Sequence, residues 1–332
     1  MKRISKKFIL INLLMICTVA VILLSLTFDL SINYSDIWQA LTHFNPDSTE
    51  HVLIISRVSR VIVALLVGAS LSLSGQVMQL QYQNDLADPS LMGISDGSAL
   101  AISILMIFNP EAKMLERIII SLVGSLVISL LLFIINQKMI SQRDKLSLPL
   151  LGIILSLLIS SVTTFIVTYF DIAQSVTAWY ASRLYRVSLS DVIYFLPVLI
   201  IGIILLLILR KEMNVFSFGP EITTVIGMNR KLLNTLLSLV VVLLTGISVA
   251  IVGRMAFIGL VVPHMSKLLV GKRYGDTLLI TPILGGFLVL VSDYLSRILN
   301  YPFETPISVV IAFLGVPIFL YLVRKGTNMR YD

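Results

Sequence analysis

The stretch VIVALLVGASLSLSGQVMQL (Val61–Leu80) runs directly into QYQNDLADPSLMG (Gln81–Gly93), and this junction decides the fold. At about 1.5 Å of rise per residue, a helix over Val61–Leu80 covers a hydrocarbon core of ~30 Å. Beyond it the chain places Asn84, Asp85, Asp88 and Pro89 within a few positions, which is turn chemistry. Inside the apolar run, Gly68, Ser72, Gly75 and Gln79 recur at helical spacing. Such a small, polar stripe allows close helix packing and interhelical hydrogen bonds in lipid. Packing is its first reading, and lining a polar pathway is the other.

The remainder of the chain repeats this alternation. Of 332 residues, 57% are hydrophobic and only 13% charged, and the mean hydropathy is +0.97. Soluble domains carry roughly a quarter charged residues, so a soluble enzyme is excluded. Phe8–Phe28 is too long for a signal-peptide core and lacks a small-x-small cleavage site, so it reads as a retained first span. After Val61–Leu80 come Leu91–Phe108, Ile118–Ile135, Leu148–Tyr169, Val192–Leu209, Leu232–Val252, Met255–Val270, Leu278–Ile298 and Ile307–Val323. The expected fold is an all-α polytopic membrane protein of about ten transmembrane helices, forming a single domain over 1–332. Met255–Val270 is short and interrupted by Gly259 and Pro263, the mark of a half-span buried among neighbours.

Charge orients the bundle. With ten spans, one side collects Lys2, Arg3, Lys6 and Lys7, then Lys138, Arg143 and Lys145, then Arg210, Lys211, Arg230 and Lys231. The same side takes Lys267, Lys272 and Arg273, and finally Arg324, Lys325 and Arg330. By the positive-inside rule both termini and the Gln81–Gly93 junction are expected in the cytoplasm, at the cell membrane. The same rule accounts for the net charge of +7 without nucleic acid as a partner.

Signatures of chemistry are missing. No G-x-x-x-x-G-K-[ST] loop is present, and GKRYG (Gly271–Gly275) lacks the required order. His43, His51 and His264 are scattered, and the single cysteine is Cys17. No catalytic residue, metal site or cofactor is therefore expected. Asp293 reads as the one acid deep in a span, and Arg297 lies one helical turn on, where a structural pair is favoured over a proton relay. The chain reads as a conduit.

Three stretches carry a resemblance. RVSR (Arg57–Arg60) followed by LLVGASLSLSGQVMQLQYQNDLADPSLMGISDG resembles R-L-P-R, L-L-V-G-A-x-L-x-x-S-G-x-x-M-Q and N-P-L-A-x-P-x-L-L-G-x-S. GRMAFIGLVVPHMSKLLVG (Gly253–Gly271) resembles G-x-I-x-F-I-G-L-V-x-P-H-x-x-R. SDYLSR (Ser292–Arg297) with ETPISVVIAFLGVPIFLYLV (Glu304–Val323) is similar to A-D-x-x-A-R and E-L-P-x-G-x-x-x-A-x-x-G-x-P-x-F. These patterns belong to the FecCD family, the permease subunits of binding-protein-dependent ABC importers for ferric siderophores, haem and cobalamin.

The resemblance implies a type II ABC importer permease bundle that dimerises with a second permease subunit, identical or paralogous. It also implies two ATP-binding subunits and an extracellular substrate-binding protein, either a lipoprotein or periplasmic. A ferric siderophore is the foremost cargo, with haem or cobalamin as alternatives. An ion-coupled secondary transporter is a remote rival, and so is a membrane enzyme. Arg57, Arg60 and Arg297 match the family's outer arginines, which dock the binding protein. Asn84 and Leu86 match its cytoplasmic gate, for which a plain connector is the alternative. The loop over 212–231 matches the ATPase-coupling segment at Pro220, Glu221 and Gly227, with Thr224 and Ile226 for its alanine and leucine. Pro220 suits a helix start and Gly227 a helix end.

Departures from the patterns are informative. Ser59 replaces the proline of R-L-P-R, which is expected to loosen the entry to the second span. Asp85 replaces the proline of N-P-L-A, leaving the backbone freer and adding charge at the exit. After Trp179, Ser182, Arg183 and Arg186 replace Gly, Ser and Gly. Arg183 and Arg186 give a cationic rim suited to an anionic substrate or the binding protein. A solvated loop or a lipid-headgroup contact is the plainer reading.

Overall fold

Residues 2–28, 34–139, 147–180, 184–271 and 273–328 are described in this computed structural model. Every predicted span is a helix: α1 (Lys2–Thr27), α3 (Thr49–Gln81), α4 (Ile94–Phe108), α5 (Met114–Met139), α6 (Ser147–Tyr169), α8 (Leu189–Ile208), α11 (Arg230–Val252), α12 (Ile258–Val270), α13 (Tyr274–Ile298) and α14 (Ile307–Asn328). Between them lie short helices, α2 (Tyr34–Thr42), α7 (Ala173–Tyr180), α9 (Arg210–Phe216) and α10 (Pro220–Val225), and a 3-10 turn at Leu184–Arg186. No strand occurs among the described residues. Among the described residues, six of the helices are long and apolar enough to cross a membrane, and further apolar helical stretches run over Ile11–Thr27, Ile94–Phe108, Ile258–Val270 and Ile307–Tyr321.

α3 is the spine. Ser48 caps it, its Oγ accepting from His51 N, and the helix starts well before Val61 because capping extends it through a charged turn that an apolar count ignores. It runs unbroken through Ser59, whose Oγ donates to Ile55 O at 2.8 Å. The expected loosening at Ser59 is thus not seen. From Ser59 to Gln81 α3 is buried on nearly every side, as befits the centre of a bundle.

The small stripe explains how neighbours come so close. A Cβ on Gly68 would lie 2.2 Å from Gly285 O of α13, and one on Gly75 would lie 2.2 Å from Gly259 Cα of α12. Ser72 Oγ donates to Thr281 O at 3.2 Å, and Gln76 Nε2 to Thr277 Oγ1 at 2.5 Å. Gln79 Nε2 reaches Leu260 O at 3.2 Å. All four stripe positions face α12 or α13 of the same chain, so packing is their role.

α12 is the short segment that the sequence marks as a half-span. It follows a non-helical stretch bounded by Gly253 (φ 83°) and Phe257 (φ 69°), with Gly253 and Met255 buried in protein and Arg254, Ala256 and Phe257 half-buried. Irregular backbone at membrane depth is tolerated only within protein or beside a water-filled cavity.

Candidate functional site

At the end of the bundle where α13 stops, two arginines converge on one carboxylate. Asp293 is fully buried and accepts from Arg60 Nε at 2.8 Å and from Arg297 Nη2. Arg60 also grips Glu304 with both terminal nitrogens, at 2.6 and 3.1 Å. Arg297 holds Ser25 of α1 through its carbonyl at 3.1 Å and its hydroxyl at 2.7 Å. The Asp293–Arg297 pair stands as read from the sequence. Arg60 and Glu304 are additions that sequence spacing does not reveal. Arg60 and Arg297 are 5% and 7% exposed, so neither stands out as a surface cation. Arg57 is half-buried and donates to Leu26 O at 3.1 Å and to Phe28 O, tying α3 to the end of α1.

The opposite end carries the α3–α4 junction. Asn84 Oδ1 accepts from Leu86 N at 2.8 Å, which closes a turn that leaves Leu86 41% exposed. Ala87 and Asp88 turn inward. Burial pushes the Asp88 carboxyl up, while hydrogen bonds from Ser90 and Leu91 pull it back. Asp85 adds less free charge than its replacement of proline suggests. Lys267 Nζ of α12 lies 2.7 Å from Asp85 Oδ1 and 2.8 Å from Gln79 Oε1. An ion pair this exposed contributes up to ~1 kcal/mol, and Gln79 would still hold Lys267. Asp85→Pro is therefore expected to retain folding, seen as an unchanged melting temperature in detergent.

Beside this junction, α10 is held from beneath. Pro220 is its first residue, Gly219 before it has φ 98°, and Gly227 after it has φ 73°. Thr223 is buried and receives Arg230 Nη1 at 2.7 Å, while the Arg230 guanidinium lies 4.5 Å from the centre of the Phe216 ring. The outer side presents Phe218, Ile222, Val225 and Ile226, all exposed, together with Glu221. Gln83 Nε2 donates to Phe216 O at 3.3 Å, linking the segment to the α3–α4 junction.

Arg186 is exposed and lines a cavity of about 530 Å³ with Arg117, Trp179 and Asp191. Ser182, Arg183, Arg143, Lys145, Lys272 and Arg330 lie outside the described residues. No group of acidic, histidine or cysteine side chains suited to a metal ion occurs among the described residues.

One pair escaped the sequence reading. Asp96, in the first turn of α4, is 1% exposed and pairs with Arg254 from the break before α12. Ser156 Oγ of α6 also donates to Asp96. Asp293 is thus not the only deep acid. Asp96 sits in a run of small and polar residues that resembles a helix cap more than a site.

Both ends and the spine between them recur elsewhere. A profile of the FecCD transport family matches residues 14–325. The chain belongs to the FecCD transport family. This FecCD chain is 40% identical over 292 residues to the iron-uptake system permease protein FeuB of Bacillus subtilis, covering 87% of each. The iron(3+)-hydroxamate import system permease protein FhuB of the same organism is 33% identical over 295 residues, covering 89% of this chain and 77% of the relative. Among solved structures, an inward-facing metal-chelate type ABC transporter superposes with a TM-score of 0.79 at 26% identity, covering 94% of this chain and 97% of that one. PsaBC from Streptococcus pneumoniae shares the fold, with a TM-score of 0.58 at 18% identity. The FecCD chain is a multi-pass membrane protein of the ABC importer permease type.

Proposed function

We propose that this chain is one of two permease subunits of an ATP-driven importer carrying a ferric siderophore, with haem or cobalamin as the alternative cargoes. The observation that supports this most is α10. The chain has no nucleotide-binding loop, yet it braces a short helix with an exposed apolar face beside the α3–α4 junction. Energy then enters by contact. α10, with Pro220, Glu221 and Gly227, seats in a cytoplasmic ATP-binding subunit, and its displacement moves the gate at Asn84 and Leu86 as a rigid body. Both termini lie on that cytoplasmic side. This subunit performs no bond-making itself.

At the other end an extracellular binding protein delivers the cargo. Arg57, Arg60 and Arg297 shape its docking surface, but they are not equivalent. Arg60 and Arg297 are committed to Asp293, so an incoming carboxylate reaches Arg60 only by displacing Glu304. Arg57→Glu is thus the cleaner test of docking, because it leaves the Asp293 network whole. It should weaken binding-protein affinity by about tenfold or more, or ~1.4 kcal/mol. Arg186, and with it Arg183, adds positive charge suited to an anionic chelate on that side.

The deciding experiment reconstitutes the permease pair with its ATP-binding subunits and binding protein in proteoliposomes. Ferric siderophore uptake should require both ATP and the binding protein. Uptake that persists without the ATP-binding subunits and collapses with an uncoupler would overturn this reading in favour of an ion-coupled transporter.

A further inference from the structure

The Arg254 guanidinium sits at a depth where charge needs a reason. Its Nη1 donates to Ser160 Oγ at 3.3 Å, and Ser160 lies near the middle of α6 (Ser147–Tyr169). The depth is roughly 20 Å from the helix start at about 1.5 Å per residue. The segment bearing Arg254 reaches α6 through Ser160 and α14 through Phe257, whose Cβ packs close to Gly315. α6 is the least enclosed of the six long apolar helices, with 22% of its apolar window buried.

Arg60, Asp293 and Arg297 show what a sealed ion network looks like here, with 6%, 0% and 7% of their side chains exposed. The second pair differs. Asp96 is sealed at 1%, yet the Arg254 side chain keeps 33% of its surface open. Ionisable groups at membrane depth face the bundle interior or a water-filled cavity, because lipid does not solvate them. The non-helical backbone beneath Arg254 obeys the same rule.

We propose that Arg254, anchored by Ser160 and by Asp96, which Ser156 holds in turn, lines the water-filled translocation pathway and is a passing contact for an anionic, oxygen-rich ferric chelate. The ligand part of this assignment rests on the importer reading above. The chemistry suits a carrier that must let go. The guanidinium presents N–H donors to the catecholate or carboxylate oxygens of such a complex, and the neutral ferric tris(hydroxamate) has less to gain from it. Asp96 offsets its charge, so the site guides an anion without trapping it.

The test uses the assembled transporter with Cys17→Ser, which removes the sole cysteine. Arg254→Cys is then challenged with a charged, membrane-impermeant methanethiosulfonate and with the apolar N-cyclohexylmaleimide. Rapid labelling by the charged reagent is expected. Labelling by the apolar reagent alone would place residue 254 against lipid, and labelling by neither would seal it between subunits. Either result overturns the proposal. Should Arg254→Cys fail to fold, Ser160→Cys keeps the guanidinium and reports on the same space with the same expected and overturning outcomes.

The ligand part is read from uptake of ferric tris(catecholate), tris(hydroxamate) and citrate complexes. Arg254→Gln should lower uptake of the transported complex about tenfold, and Arg254→Lys should restore part of it. Wild-type uptake in Arg254→Gln would overturn the contact. A wild-type transporter that moves no ferric chelate would instead overturn the importer reading, while the labelling still decides whether residue 254 faces water.

Discussion

Asp293→Ala is expected to destabilise the protein by about 3–5 kcal/mol, the loss that follows when a buried charge is left without its partner. The burden is uneven. Arg60 keeps both oxygens of Glu304, but Arg297 is left with Ser25 alone. Most of the penalty should therefore come from one uncompensated guanidinium. Adding Arg297→Met to Asp293→Ala should recover much of the loss, because the pair is then replaced by apolar volume. Thermal unfolding in detergent, followed by size-exclusion chromatography, measures both variants. If Asp293→Ala melts with the wild type, water already reaches the network and the burial described here is wrong.

Gly75→Leu should be equally damaging for a steric reason. Even its first added carbon would meet Gly259 Cα at 2.2 Å, with backbone on both sides and no flexible side chain to yield. α3 and α12 would have to part, which would disturb the Gln79, Lys267 and Asp85 contacts below them. The expected loss is at least the ~1–3 kcal/mol of an overpacked core, seen as a collapse in the yield of monodisperse protein. Gly275→Ala is the control. The nearest atom to its new carbon is Asn214 Nδ2 at 3.8 Å, so the added methyl meets no clash in the first turn of α13. If both variants express alike, close approach is not what joins α3 to α12.

These two sites show what was legible in the residues. All ten apolar helices were, because lipid permits few polar interruptions and so prints its thickness on the chain. The Asp293–Arg297 pair was legible because both residues share one helix face. α10 was legible because proline and glycine bracket it. Arg60–Glu304 and Asp96–Arg254 were not, since each joins distant segments and neither spacing carries a period. α2, α7 and α9 also went unforeseen, being short amphipathic or polar turns outside any apolar count. Lys267 stands where the family pattern has arginine, and its hold on Asp85 needed the fold to bring α12 beneath the junction. Arg57, Arg60 and Arg297 came from resemblance, and burial then divided them into a surface tie and two inward anchors.

The backbone contact of Gly75 with Gly259, and of Gly68 with Gly285, has a mechanical consequence. Helices that touch main chain to main chain cannot slide without breaking many contacts at once, so α3, α12 and α13 are expected to move as one block. α9 is bolted to it where Asn214 Oδ1 accepts from Tyr274 N at 2.8 Å. On the coupling proposed above, a thrust on α10 would pass through α9 into that stiff block with little lost motion. Displacement would then be carried by the block as a whole, and the α3–α4 junction, tied to it through Gln79 and Lys267, would travel with it.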